Sequence, residues 1–126
     1  MKRSTYSLPV GSTLMQGKYR IVAVLGQGGF GITYKGEHTM LGTTVAIKEF
    51  FMKGACERDE NSTHVTTSQS NSELASRFRT KFLKEAKTLA VLKHPNIIRV
   101  FDVFEDNGTA YYVMDYIEGN NLSDIV

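Results

Sequence analysis

Six residues, Gly26-Gln27-Gly28-Gly29-Phe30-Gly31, constrain this chain most, because strand-like sequence lies on both sides of them. Before them, Tyr19, Ile21, Ala23 and Leu25 alternate with Arg20, Val22 and Val24; after them comes Ile32-Thr33-Tyr34-Lys35. A period of two is the pattern of a strand with one face on a core. The glycines therefore join two strands. Backbone without side chains can approach a ligand closely and offer its N–H groups to an anion.

Gly26, Gly28 and Gly31 also fit the spacing G-x-G-x-x-G, which two phosphate-binding architectures share. One of them, the dinucleotide fold, needs a helix directly after the glycines and an acid about 20 residues on. Glu49, 18 residues after Gly31, falls near that acid's place. Residues 32–50 are nevertheless β-branched, alternating and interrupted by Gly36 and Gly42, two candidate turn residues. They read as strands, with the run Thr44–Phe50 as the third of a meander. Lys48 lies inside that apolar run. An unpaired ammonium is costly to bury, so Lys48 needs an anionic partner: phosphate, or a carboxylate from a packed helix.

Further along, residues 54–72 are mostly small and polar, and read as a long mobile insertion. A helix is expected from Ser72, with Ser72 as its cap and Glu73 near its positive end. Leu74, Phe78, Phe82, Ala86 and Leu89 form its apolar stripe, Glu85 lies at the stripe's edge, and His94-Pro95-Asn96 ends it. Two strands, Ile97–Glu105 and Thr109–Tyr116, flank Asp106-Asn107-Gly108, a strong hairpin signal. The order predicts an α+β fold: a five-stranded antiparallel sheet with one major helix.

Composition narrows the function classes. With 126 residues and 41% hydrophobic content the chain suits one small folded domain, over 18–126, after a tail at 1–17. A net charge of +2, with its densest basic group (Arg77, Arg79, Lys81, Lys84, Lys87) on a solvated helix face, predicts neither nucleic-acid nor membrane contact. The lone Cys56 excludes an internal disulfide and points to a reducing, cytoplasmic compartment. Asp59, Glu60 and His64 lack a completing ligand, so no metal site is expected. No apolar run suggests a signal peptide or a membrane span. The last residues, to Val126, read as a new helix start, so a longer parent is expected.

Together these motifs resemble the N-terminal, ATP-binding lobe of a eukaryotic-type protein kinase. Residues Leu25 to Tyr34 resemble the glycine-rich loop, Val45-Ala46-Ile47-Lys48 the strand lysine motif, and Phe82 to Ile98 the lobe helix and its exit. Tyr112 to Gly119 resemble the last strand and hinge. The resemblance implies that Gly26, Gln27, Gly28, Gly29, Phe30, Gly31 and Ile32 cover the ATP phosphates. Lys48 would hold the α- and β-phosphates and pair with Glu85. Leu25, Thr33 and Ala46 would roof the adenine, Met114 would stand behind it, and backbone groups of Asp115 and Ile117 would bond its edge. Leu89 and Val100 would join the apolar spine to the larger lobe.

The sequence departs from the family in two places. Thr33 stands where valine is usual, and Lys48 and Glu85 are 37 residues apart, an excess supplied by 54–72. No H-R-D or D-F-G motif is present, so the catalytic base and the Mg2+ ligands would belong to the parent's own C-lobe. The resemblance implies a serine/threonine kinase parent, with ATP and a protein substrate as partners, and a fragment inactive alone. The alternatives are a pseudokinase scaffold that binds nucleotide, or a free-standing lobe that self-associates through its C-lobe-facing surface.

Overall fold

The computed structural model describes residues 7–59, 62–91 and 99–116. Asn107 and Gly108 take φ of 52° and 75°, the pair of conformations that lets a two-residue turn match the twist of its strands. That turn joins β7 (Val100–Asp106) to β8 (Thr109–Asp115), with Asp106 opposite Thr109. The meander before it is β2 (Tyr19–Gln27), β3 (Gly31–His38) and β4 (Thr43–Phe50). Gly42, with φ of 72°, turns between β3 and β4. Gly36, expected in a turn, lies inside β3: a Cβ there would come within 2.6 Å of the Ile47 side chain.

Among the described residues the main sheet has six strands, one more than expected, in the order β1-β2-β3-β4-β8-β7, and every pairing in it is antiparallel. The extra strand, β1 (Thr13–Leu14), comes from the segment read as a tail. Leu8 and Leu14 are buried there, and the Leu8 N–H donates to the Tyr34 hydroxyl at 2.9 Å. The alternation of β4 and β8 divides the core in two. Ile47, Phe51, Tyr111 and Val113 enter an outer cluster with Leu8, Leu14, Tyr34, Cys56 and Val65. Phe50, Ala110 and Tyr112 face the other way, toward the helix α1 (Ser72–Val91).

On that inner face Phe82 and Ala86 are buried, with Phe78 and Leu89 partly so, as the stripe predicts. Val100 and Leu89, assigned to one apolar spine, belong to the same cluster. Leu74 is the exception, 41% exposed, while Ala75 is buried. Four-residue steps drift by about 40° each on a helix, so Leu74 sits about 80° from Phe82; Ala75, seven residues before Phe82, stays within about 20°. Ser72 does not cap: its hydroxyl donates to the Gln69 carbonyl at 3.1 Å, in a short 3-10 turn (Gln69–Asn71) before the helix. The predicted helix exit at His94-Pro95-Asn96 lies outside the described residues.

The largest correction concerns 54–72. This stretch folds as a hairpin, β5 (Cys56–Arg58) on β6 (Val65–Thr67), that covers the outer face of the sheet. Ala55, Cys56, Arg58 and Val65 are buried. The Val65 N–H donates to the Asn107 carbonyl at 2.7 Å and the Thr63 hydroxyl to the Asn107 side chain at 2.6 Å. Below the hairpin, Glu49 is fully buried in the outer core. It accepts from the Tyr34 hydroxyl at 2.7 Å, from the Arg58 guanidinium at 2.5 Å, and from the Tyr111 hydroxyl. Burial lowers the pKa of Arg58, but the charge and hydrogen bond of Glu49 outweigh it, and the net direction is up.

Candidate functional site

The inner face of β4 carries Lys48, partly buried, between Ala46 and Phe50. Residues 28–30 pass from β2 to β3 above it. The Gly28 N–H donates to the Gly31 carbonyl at 2.8 Å and closes the loop. The Gly29 and Phe30 carbonyls accept from the N–H groups of Lys53 and Phe51, at 2.9 and 3.1 Å, and the Phe30 ring stacks on Phe78 of α1 at 4.7 Å. The loop is thus laid toward the helix. Beneath it lies a cavity of about 560 Å³, lined by residues 26–31, Thr33, Lys48, Phe50, and Phe78, Lys81, Phe82 and Glu85 of α1.

The glycines of the loop are of two kinds. At Gly31 an added Cβ would lie 3.0 Å from the Glu49 carbonyl and 3.4 Å from the Lys48 side chain, so packing against Lys48 explains that glycine. At Gly26 and Gly29 an added Cβ would meet nothing within 4 Å, and neither residue has a positive φ. The protein's own packing and backbone make no demand for glycine there. A cradle of bare backbone over an open cavity, with an ammonium on its floor, fits a polyphosphate.

Lys48 and Glu85 line the same cavity, yet among the described residues no ion pair joins them. Instead, Glu85 accepts from the Tyr112 hydroxyl at 3.2 Å, and the Lys48 ammonium lies 5.8 Å from the centre of the same Tyr112 ring. Burial, then the charge and hydrogen bond of Glu85, push the Tyr112 phenol well above its ordinary pKa.

Not every expected residue reaches this cavity. Gly26 to Gly31, Thr33, Lys48 and Glu85 do; Leu25, Ala46, Met114 and Asp115 do not line it. Ala46 and Met114 are register partners, as are Val45 and Asp115, so these residues meet at the neighbouring end of β4 and β8. The Asp115 N–H is taken up by the Arg99 carbonyl at 3.4 Å. Ile32 turns the other way: its side chain is buried in the outer core, leaving only its backbone to face a ligand. Ile117 lies outside the described residues. Phe78, Lys81 and Tyr112 are named in the sequence only as stripe, basic-face and strand residues, with no role at the site. Phe78 and Lys81 stand seven and four residues before Glu85, on its side of the helix, and that spacing was the available signal. Among the described residues no group of three or more His, Cys, Asp or Glu is placed to hold a metal ion.

Comparison with known proteins identifies the family. The protein kinase domain family matches residues 19–126. Serine/threonine-protein kinase pkn2 of Myxococcus xanthus is 32% identical over 115 residues, covering 91% of this chain and 12% of that protein. PrkC of Bacillus subtilis, also a serine/threonine-protein kinase, is 31% identical over 112 residues, 89% of this chain and 14% of its own length. The chain therefore spans only a small part of the curated relatives it matches. Among solved structures, PpkA-294 in its apo form superposes with a TM-score of 0.86 at 29% identity, over 96% of this chain and 42% of that one. The kinase domain of PknI from Mycobacterium tuberculosis superposes with a TM-score of 0.58 at 26% identity, over 88% of this chain and 36% of its own. With the glycine loop, the strand lysine and the helix glutamate facing one cavity, this chain belongs to the protein kinase domain family and corresponds to its N-terminal lobe, related to bacterial serine/threonine kinases.

Proposed function

We propose that this chain is the ATP-binding lobe of a protein kinase that phosphorylates serine or threonine hydroxyls. The observation that carries the reading is the shared cavity: bare glycine backbone as its roof, with Lys48 and Glu85 in its walls. ATP supplies the transferable γ-phosphoryl group. The loop from Gly26 to Gly31 would lie over the phosphates, and its closure toward α1 would keep water out. Lys48 would neutralise charge on the α- and β-phosphates, with Glu85 orienting its ammonium. Ala46, Met114 and the backbone at Asp115, which the β4–β8 register brings together, would receive the adenine beside the cavity. The base and the magnesium ligands would come from a larger lobe in the complete protein, so the lobe alone is expected to be inactive.

Glu85→Gln in the full-length protein tests the pairing. It should lower phosphoryl transfer by about tenfold or more, equivalent to about 1.4 kcal/mol of transition-state stabilisation. The melting temperature should move little, because Glu85 is exposed and its hydrogen bond from Tyr112 survives as a bond to the amide oxygen. An unchanged transfer rate would contradict the role. ATP binding without any transfer in the wild-type protein would favour the pseudokinase scaffold instead.

A further inference from the structure

We propose that Tyr112 is a positioning residue, whose hydroxyl holds Glu85 in place to receive Lys48. The proposal rests on the pairing of Lys48 with Glu85 set out above and adds the element that prepares it. Tyr112 lies directly opposite Lys48 in the β4–β8 register. Tyr112 is only 3% exposed, and its ring packs against Phe82 at 4.8 Å, so the phenol oxygen is a fixed point beside Glu85. Glu85 is the reverse, a long side chain on an exposed part of α1, with rotamer freedom to lose before it can pair.

The hydrogen bond from the Tyr112 hydroxyl to Glu85 Oε1, at 3.2 Å, joins the fixed group to the free one. Among the described residues neither an ion pair nor another hydrogen bond occupies Glu85 Oε2, which is left to accept from Lys48. Because the Lys48 ammonium lies 5.8 Å from the Tyr112 ring centre, one rigid side chain neighbours both members of the pair. Packing alone does not account for the hydroxyl: phenylalanine would fill the same place in the inner cluster, and among the described residues the hydroxyl serves Glu85 alone. With its pKa raised, the phenol stays protonated and donating at any working pH. The contact is a constant brace.

The test is a double-mutant cycle in the full-length protein, reading kcat/KM for ATP. Tyr112→Phe should lower it by about fivefold, the scale of one ordinary net hydrogen bond. In a Glu85→Ala background the same substitution should change it by less than about twofold, since the hydroxyl then has nothing to hold. Equal losses in both backgrounds would assign Tyr112 to packing and overturn the proposal, as would no loss in the wild-type background. Failure of the underlying reading looks different: Lys48→Met would then leave transfer intact, and the brace would fall with it.

Discussion

Lys48→Met is expected to lower phosphoryl transfer by the full-length protein about a hundredfold or more, the usual cost of removing a fixed charge from a site where charge develops. Methionine keeps the apolar stem of lysine and removes only the ammonium. That stem lies on the inner face beside Gly31, where an added Cβ would sit 3.4 Å from it, so the local packing of loop on strand is retained. Lys48 takes part in no ion pair among the described residues, which leaves little for folding to lose. Stability should therefore stay within about 0.5 kcal/mol of wild type. Activity and thermal unfolding measured on the same preparation separate the two effects. A variant that unfolds early would make Lys48 structural, and one that keeps its activity would remove it from the site.

Arg58→Met should have the opposite signature, a large loss of stability. Its guanidinium supplies the charge opposite Glu49 in the outer core, donates to the Thr63 carbonyl at 2.8 Å, and lies 5.5 Å over the Phe51 ring. Removing one member of a buried pair leaves the other charge without compensation, at about 3–5 kcal/mol. Two tyrosine hydroxyls remain to solvate Glu49, and they hold the figure to the lower part of that range. Adding Glu49→Gln should recover part of the loss, because the stranded charge is then gone while one tyrosine hydroxyl can still donate to the amide oxygen and the other can accept from the amide NH2. Urea unfolding of the wild type and the two variants reads this directly. A loss under about 1 kcal/mol for Arg58→Met would mean that water reaches Glu49 and that the hairpin does not anchor the outer face.

The same residues show what the sequence could and could not reveal. Lys48 was legible because a charge in an alternating apolar run is an anomaly that periodicity exposes. The β7–β8 hairpin was legible because Asn107 and Gly108 supply a local conformational requirement. Arg58 was not, since hydropathy counts arginine as solvated, and the buried pattern Cys56, Arg58, Val65 looks polar until Glu49 lies beneath it. Glu49 itself resembled a ribose-binding acid by its distance from the glycines; its actual partners, Tyr34, Arg58 and Tyr111, come from three other strands. Leu8 and Leu14 carry no period of their own and are buried only because the sheet offers them a face. Glu85 sat at the stripe's edge, and only the register that places Tyr112 beside Lys48 shows which way it turns.

The central claim, that the ATP phosphates lie against Lys48 under the glycine loop, is tested most directly by an acyl-phosphate derivative of ATP. A lysine amine beside the phosphates attacks the mixed anhydride, keeps the acyl group as an amide and releases ATP. Peptide mapping of the full-length protein should find the acyl group on Lys48, with Lys81, which lines the same cavity, as a minor site at most. Excess ATP should suppress the labelling. An unmodified Lys48, with label spread over the exposed Lys53, Lys84 and Lys87 and insensitive to ATP, would contradict the account.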